Sequence, residues 1–276
     1  MSYRVGSLNI HKKKHAEAFD TGRDFFSFIH DFIMDENLDI LALQEVVNER
    51  ELQRILKNLS GWCGQYGKPT AREKEIHGFA FLWNSRRVKP VECSHKQTPR
   101  ILSEYCSDEL MRRGPLYGRF TPVGVGPHYE IRLINVHLFQ SESLQLRKEC
   151  GLVTGDVYNQ IDLGERDGHF KSVFTLVLGD YNHRQKTCSF ITNLYGDPHV
   201  VTFQKKPTTL KMLEEGYTAN DFDHFSFNLL KNITVPFKED RIDAVGRYFK
   251  SDSQKGAFQK YKECVSDHVP IVIEFL

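Results

Sequence analysis

Short apolar runs, each closed by a polar or charged residue, constrain this chain more than any other feature. They occupy residues 5–10, 38–43, 79–83, 131–138, 174–178, 222–227 and 269–275. Runs of this length, bounded by polar or turn-forming residues, predict strands buried on both faces. Helical patterns lie between them. Residues 21–34 place Phe25, Phe28, Ile29, Phe32 and Ile33 at helical spacing. Residues 48–59 do the same with Leu52, Ile55, Leu56 and Leu59. Residues 141–162 predict a long polar helix that Gly151 and Gly155 weaken, and residues 190–195 a short one. No repeat, low-complexity tract or linker interrupts the pattern, so residues 1–276 read as one domain. Strands interspersed with helices imply sheet covered by helices. Periodicity does not decide between one sheet and two.

The polar residues that close these runs carry the chemistry. Asn9 stands in the first run, Glu45 follows the second, and His137 lies near the end of the fourth. Asp180 and Asn182 follow the fifth, and Asp267 and His268 immediately precede the last. Acids and amides flush with buried strands are costly unless paired or bound to metal. Groups of this kind on different strands can converge at one sheet rim. Their oxygens suit a hard cation, and a histidine beside an aspartate adds acid–base or hydrogen-bonding capacity. Each residue alone has a simpler explanation. Asn9 could be a turn or edge residue, Glu45 a first-turn acid at a helix dipole, and His137 a satisfied core histidine. Gly179-Asp180-Tyr181-Asn182 could be a turn, and Ser266-Asp267-His268 a strand cap.

Charge and cysteine content narrow the function classes. Lys and Arg total 37 against 36 Asp and Glu, so any affinity for a polyanion must be local. The six cysteines form no C-x-x-C pair, which argues against a zinc ribbon. They read as reduced thiols of a cytoplasmic protein. No leader pattern precedes the first strand, and no run approaches the ~18 apolar residues of a membrane helix.

Taken in order, Ser7-Leu8-Asn9, Leu43-Gln44-Glu45-Val46, Asn135-Val136-His137-Leu138, Leu178-Gly179-Asp180-Tyr181-Asn182 and Ser266-Asp267-His268-Val269-Pro270-Ile271 resemble the signature of the endonuclease/exonuclease/phosphatase superfamily. That superfamily is typified by deoxyribonuclease I and the abasic-site endonucleases. The resemblance implies a four-layer α/β sandwich: two packed, mainly antiparallel sheets flanked by helices. It implies a divalent metal, magnesium or else manganese, held by Glu45 with help from Asn9 and Asp267. Asp180 would orient or deprotonate the attacking water, and Asn182 would hold a phosphate oxygen. His137 and His268 would hydrogen-bond the scissile phosphate. Arg113 resembles a phosphate-contacting arginine. Asp223 resembles the acid that orients the C-terminal histidine, with Asp240 and Asp243 as rivals.

The chain also departs from relatives. His77 stands near where deoxyribonuclease I has an acid supporting its mid-chain histidine. Pro236-Phe237-Lys238-Glu239 replaces the tryptophan- and cysteine-bearing motif of the inositol polyphosphate 5-phosphatases. The basic run at residues 11–15 is either a solvated loop or a phosphate contact. The expected function is metal-dependent hydrolysis of phosphodiesters, with DNA as the first substrate and a monomeric enzyme. Two alternatives stand beside it: a phosphatase acting on a small phosphorylated molecule or inositol headgroup, and a catalytically silent binding module.

Overall fold

The chain builds one sheet, crosses into a second, and returns to the first. β1 (Tyr3–Asn9), β2 (Ile40–Val46), β3 (Trp62–Gly67) and β4 (Gly78–Asn84) open the first sheet. β5 (Val88–Pro90), β6 (Arg100–Ile101), β7 (Leu116–Pro122), β8 (Tyr129–His137), β9 (Ser172–Asp180), β10 (Val200–Phe203) and β11 (Asp223–Asn228) form the second. β12 (Phe237–Arg241) and β13 (Ile271–Phe275) complete the first, whose order is β12-β13-β1-β2-β4-β3. The second runs β10-β11-β9-β8-β7-β5, with β6 pairing to β7. Only β1–β2 and β8–β9 pair in parallel; the other pairs named in both sheets are antiparallel. The computed structural model describes residues 2–11, 25–69, 77–91, 98–107, 109–124, 129–139, 144–164, 172–211, 213, 217–230, 237–251 and 253–275.

Three apolar clusters separate four layers. The central one lies between the sheets and includes Val5, Ile40, Phe81, Leu133, Leu176, Phe225 and Ile273. On the outer face of the first sheet pack α1 (Phe25–Asp35), α2 (Glu49–Leu56), α6 (Ala244–Tyr248) and α7 (Gln254–Cys264). On the outer face of the second pack α3 (Leu144–Leu152), α4 (Tyr158–Gly164) and α5 (Gln185–Tyr195). This is the expected sandwich of two sheets flanked by helices. Each fully buried Phe, Leu or Ile contributes about 1.5–3 kcal/mol of transfer free energy.

The helices follow their sequence patterns, with two adjustments. α1 buries Phe25, Phe28, Ile29, Phe32 and Ile33 as their spacing predicts; residues 21–24 lie outside the described residues. α2 is capped by Asn48, whose side chain accepts from Glu51 N at 3.0 Å. A cap of this kind contributes about 1 kcal/mol. The long helix expected over 141–162 is divided by a π-helical stretch, Val153–Val157. Gly151 and Gly155 are packing residues there. A Cβ at Gly151 would sit 2.9 Å from the Tyr195 Cβ, and one at Gly155 would sit 3.0 Å from the Gly196 Cα. They let this helix close on the end of α5, which is itself longer than the predicted 190–195.

Cys63, Cys106, Cys150, Cys188 and Cys264 are free thiols, and Cys93 lies outside the described residues. Among the described residues no helix is long and apolar enough to cross a membrane.

Candidate active site

The two parallel pairs bring like strand ends together, and the site forms where those ends meet. β1 pairs with β2, and β8 with β9, so Asn9, Glu45, His137 and Asp180 all stand at C-terminal ends. β11 runs antiparallel to β9 and places Asp223 opposite Asp180. The loop before β13 supplies Asp267 and His268.

Asn9 is the hub between the sheets. Its Nδ2 donates to Asp180 Oδ2 at 3.0 Å and to Glu45 Oε1 at 3.2 Å. Its Oδ1 accepts the His11 N–H at 2.9 Å. Glu45 reaches it through a bulge. The β2–β4 register shifts between Gln44 and Val46, and Glu45 adopts φ +60°. Gln44 is fully buried and turned toward the second sheet. Regular alternation would send Glu45 to the opposite face, and a bulge of this kind re-aims the side chain. A left-handed glutamate costs about 1–2 kcal/mol. Asn182 at φ +53° and His11 at φ +51° share this conformation, so local strain concentrates at the rim.

Gly179 explains the glycine of Gly179-Asp180-Tyr181-Asn182. It has φ +136°, and a Cβ there would lie 2.1 Å from the Val136 carbonyl oxygen. Only glycine allows β8 and β9 to approach as Asp180 enters the site. Asp180 Oδ1 then accepts the Asn182 N–H at 2.8 Å, and Asn182 Nδ2 donates to the Leu138 carbonyl at 2.8 Å.

His268 is fixed by backbone and side chain. Its N–H donates to Ser266 Oγ at 3.0 Å, while Ser266 Oγ donates to the Asn9 carbonyl at 2.6 Å. Its Nδ1 lies 2.8 Å from Asp223 Oδ2, and its Nε2 lies 3.7 Å from Asp180 Oδ2. Asp223 is held in turn by Thr208, whose Oγ1 accepts its N–H at 3.2 Å. His137 Nε2 approaches Asp180 Oδ2 at 3.6 Å and Glu45 Oε1 at 3.8 Å. Arg113 Nη1 donates to the His137 carbonyl at 3.5 Å.

Burial sets the electrostatics. Loss of water pushes the Asp180 carboxyl up and the Asp223 carboxylate adds to this. His268, the Asn182 N–H and Asn9 pull against them, and Asp180 stands at about 7. Burial works against a charged His268, but the Asp223 and Asp180 carboxylates outweigh it and raise this histidine to about 10. Asp267 is lowered to about 2, because His11 and His268 overcome its own burial.

The structure therefore brings Asn9, Glu45, His137, Asp180, Asn182, Asp223, Asp267 and His268 to one rim, with Arg113 at its edge. It separates the rivals of Asp223. Asp240 pairs with Lys206 at the surface, on a strand where charge alone would leave a turn. Asp243 caps α6 and accepts from the Tyr217 hydroxyl. The basic run at residues 11–15 offered His11 only as a loop residue or a phosphate contact; in the structure its Nδ1 lies 3.0 Å from Asp267 Oδ1, and the other members of the run lie outside the described residues. Ser266 stood inside a quoted motif without a role, and nothing in the sequence marked Thr208.

The residues present fit a hard cation. Glu45 Oε2 is a buried carboxylate oxygen with no hydrogen-bond partner, which suits a hard cation, while Asn9 turns its NH₂ toward Glu45 and Asp180 and gives its oxygen to the His11 N–H. Asp180, Asp223 and His268 also offer ligand atoms within 4.8 Å of one another. There, however, Asp223 and His268 already engage each other at 2.8 Å, so Glu45 is the better anchor.

No family model matches the sequence, and no curated protein does. Solved structures do. D. rerio TDP2 complexed with single-strand DNA product is 15% identical with a TM-score of 0.64, over 100% of this chain and 99% of that one. The mannosyl-6-phosphatase of Bacteroides thetaiotaomicron is 14% identical with a TM-score of 0.65, over 99% of each chain. An endonuclease/exonuclease/phosphatase family protein of the same organism is 15% identical with a TM-score of 0.63, over 100% of this chain and 97% of that one. With its two sheets, its flanking helices and these end-to-end likenesses, the chain has the deoxyribonuclease I-like fold of the endonuclease/exonuclease/phosphatase proteins.

Proposed function

We propose that this chain is a divalent-metal-dependent phosphoesterase that hydrolyses phosphodiesters, with DNA as the first substrate to try. The observation that carries this reading is the line Asp180–His268–Asp223. It sets a carboxyl near 7 within 3.7 Å of a histidine whose other nitrogen is bonded to a second carboxylate. A base poised near neutral pH is suited to orienting or deprotonating a water. In this reading Asp180 holds that water. His268, kept charged by its carboxylates, and His137 donate to the phosphate oxygens as charge builds on them. Asn182 adds an amide donor, and Arg113 binds from the rim. Glu45, with Asn9 and Asp267, would hold magnesium or manganese. The cation, when bound, polarises the phosphoryl oxygen and offsets charge on the leaving oxygen.

The likeness to a protein bound to single-strand DNA product supports the diesterase reading. The net charge of +1 favours a second, a phosphatase acting on a small phosphorylated molecule, as does the likeness to a mannosyl-6-phosphatase. One panel separates them: plasmid DNA, single-stranded DNA and a set of phosphomonoesters, each with magnesium and with chelator. Chelator-sensitive cleavage of DNA supports the first reading, and cleavage of monoesters alone supports the second. No hydrolysis of any ester would sink both and leave a binding module.

A further inference from the structure

Two loops carry the outer edge of the site, and one buried carboxylate holds both. Arg112 and Arg113 lie in the turn that leads into β7, and Leu138 and Phe139 leave the end of β8. The Arg112 and Phe139 backbone N–H groups both donate to Glu149 on α3. Oε1 accepts the first at 2.9 Å and Oε2 the second at 2.9 Å. Glu149 is only 1% exposed. A carboxylate taken from water on a helix face is costly unless hydrogen-bonded, and its two bonds here reach across to separate loops.

The two loops also touch directly. The Arg112 guanidinium lies 3.9 Å from the Phe139 ring centroid, and Arg113 Nη1 donates to the His137 carbonyl. The loop after β8 is tied inward too: the Leu138 N–H donates to the Asp180 carbonyl, and the Leu138 carbonyl accepts from Asn182. Burial raises the Glu149 carboxyl, while the two N–H groups, Arg113 and Arg112 draw it down. The group thus senses both arginines of the turn.

We infer that Glu149 is a positioning residue for phosphate binding, which sets Arg113 beside His137 by gripping the turn before β7 and the loop after β8 together. This rests on the phosphoesterase reading and on Arg113 as its phosphate-contacting arginine. An apolar residue at this helix position would leave the Arg112 and Phe139 N–H groups without this acceptor and both loops unheld. Glutamine keeps the size and one acceptor, and turns an NH₂ toward one of the two N–H donors.

The test is a double-mutant cycle on Glu149→Gln and Arg113→Gln. It is read by KM and kcat on the best phosphate ester and by calorimetric affinity for inorganic phosphate. Glu149→Gln is expected to raise KM and weaken phosphate roughly tenfold, the scale of one charge-assisted hydrogen bond, with kcat changed by less than about twofold. Arg113→Gln should do the same, and the double variant should be no worse than Arg113→Gln alone. Additive effects would overturn the inference, and so would a lower Tm with unchanged KM and phosphate affinity. If Glu149→Gln does not fold, Glu149→Asp keeps the charge, draws it back by one methylene and must show the same non-additivity. A wild type that binds phosphate but hydrolyses no ester removes the enzymatic reading, while the phosphate cycle still decides the role of Glu149. A wild type that does not bind phosphate overturns the inference itself.

Discussion

Gln44 crosses the core between the sheets and donates its Nε2 to Asn135 Oδ1 at 2.8 Å, with both side chains fully buried. Gln44 also donates to Ser7 Oγ at 3.1 Å, and Asn135 Nδ2 donates to the Leu43 and Ala80 carbonyls at 3.0 and 3.3 Å. This polar bridge spans β1, β2 and β8 just below the rim. Ser7 precedes Asn9, Gln44 adjoins Glu45, and Asn135 precedes His137. The network is satisfied except at Gln44 Oε1, which is buried with no hydrogen-bond partner.

Asn135→Leu should therefore destabilise the fold by about 1–3 kcal/mol, since it strands a buried amide. At roughly 2–4 °C per kcal/mol for a chain of this size, the loss is visible in thermal melts. Gln44→Leu combined with Asn135→Leu removes both partners and should recover part of that stability. It should recover less of the turnover, because the buried hydrogen bond from β2 to β8 just below the rim is then gone. A double variant destabilised by the full sum of the two singles would show that the bridge is not a coupled unit.

Glu45→Gln keeps the shape of a bulged side chain and removes the charge of its unpartnered oxygen. Turnover should fall by roughly 10²-fold or more, the scale of losing one preorganised electrostatic group. Tm should hold or rise slightly, because a buried carboxylate oxygen without a partner is costly to the fold. A magnesium titration checks it. Turnover that stays at wild-type level across the series would remove Glu45 from the cation site.

The legible parts of the sequence were those where burial is two-sided. β1, β2, β4, β8, β9, β11 and β13 each lie within or across a continuous apolar run, as strands covered on both faces do. β3 and β12 are edge strands with glycines, charges or half-buried residues, and their pattern falls below any strand template. β7 is hidden by chemistry. Its Arg119 is 1% exposed and pairs with Glu130, which Arg132 also engages, so the segment looks like surface and is interior. At the site, an acid or amide ending an apolar run was readable because its cost demands a reason. The partners that hold those groups were not. Ser266, Thr208 and Glu149 act on residues far away in sequence, through bonds that no local spacing encodes.

The pH profile follows from two raised groups. On the proposed reading, Asp180 at about 7 must be deprotonated to take a proton, and His268 at about 10 must be protonated to donate. Turnover should rise as pH passes about 7 and fall toward about 10. Asp223→Asn removes the chief charge holding the His268 proton and one that raises Asp180, so both limbs should move to lower pH. An alkaline limb that stays in place would detach it from His268.

Stability carries the same sign. A raised folded-state value means the fold binds its proton more tightly than the unfolded chain. The Asp180 contribution is therefore complete below its ordinary 3.8 and is lost as pH rises toward about 7. That of His268 is complete below its ordinary 6.5 and is lost toward about 10. Between about pH 4 and 7 the Tm of Asp180→Asn should fall less steeply than that of the wild type. Parallel Tm curves would place the Asp180 titration elsewhere.

The sharpest contrast lies among three aspartates that the sequence left in competition. Asp223 is 1% exposed and fixes His268 through a 2.8 Å bond to Nδ1. Asparagine there keeps the volume but offers no charge, and turns either its oxygen or its NH₂ toward the ring. Loss of the equivalent acid in the serine-hydrolase triad costs ~10⁴-fold in turnover, and a loss of roughly 10³–10⁴-fold is expected for Asp223→Asn. Asp240 pairs with Lys206 where both side chains are exposed, at 43% and 61%. Such pairs contribute about 0–1 kcal/mol, so Asp240→Asn should leave turnover within about twofold of wild type. Asp243 caps α6 through its bond to the Gly246 N–H and accepts from Tyr217. Asparagine caps about as well as aspartate and still offers an oxygen, so Asp243→Asn should also be mild in turnover. Initial rates at saturating magnesium, with each fold checked by circular dichroism, decide the matter. A crippled Asp240→Asn or Asp243→Asn beside a near-normal Asp223→Asn would mean that His268 takes its orientation from another acid, and that the bond at Nδ1 has no part in turnover.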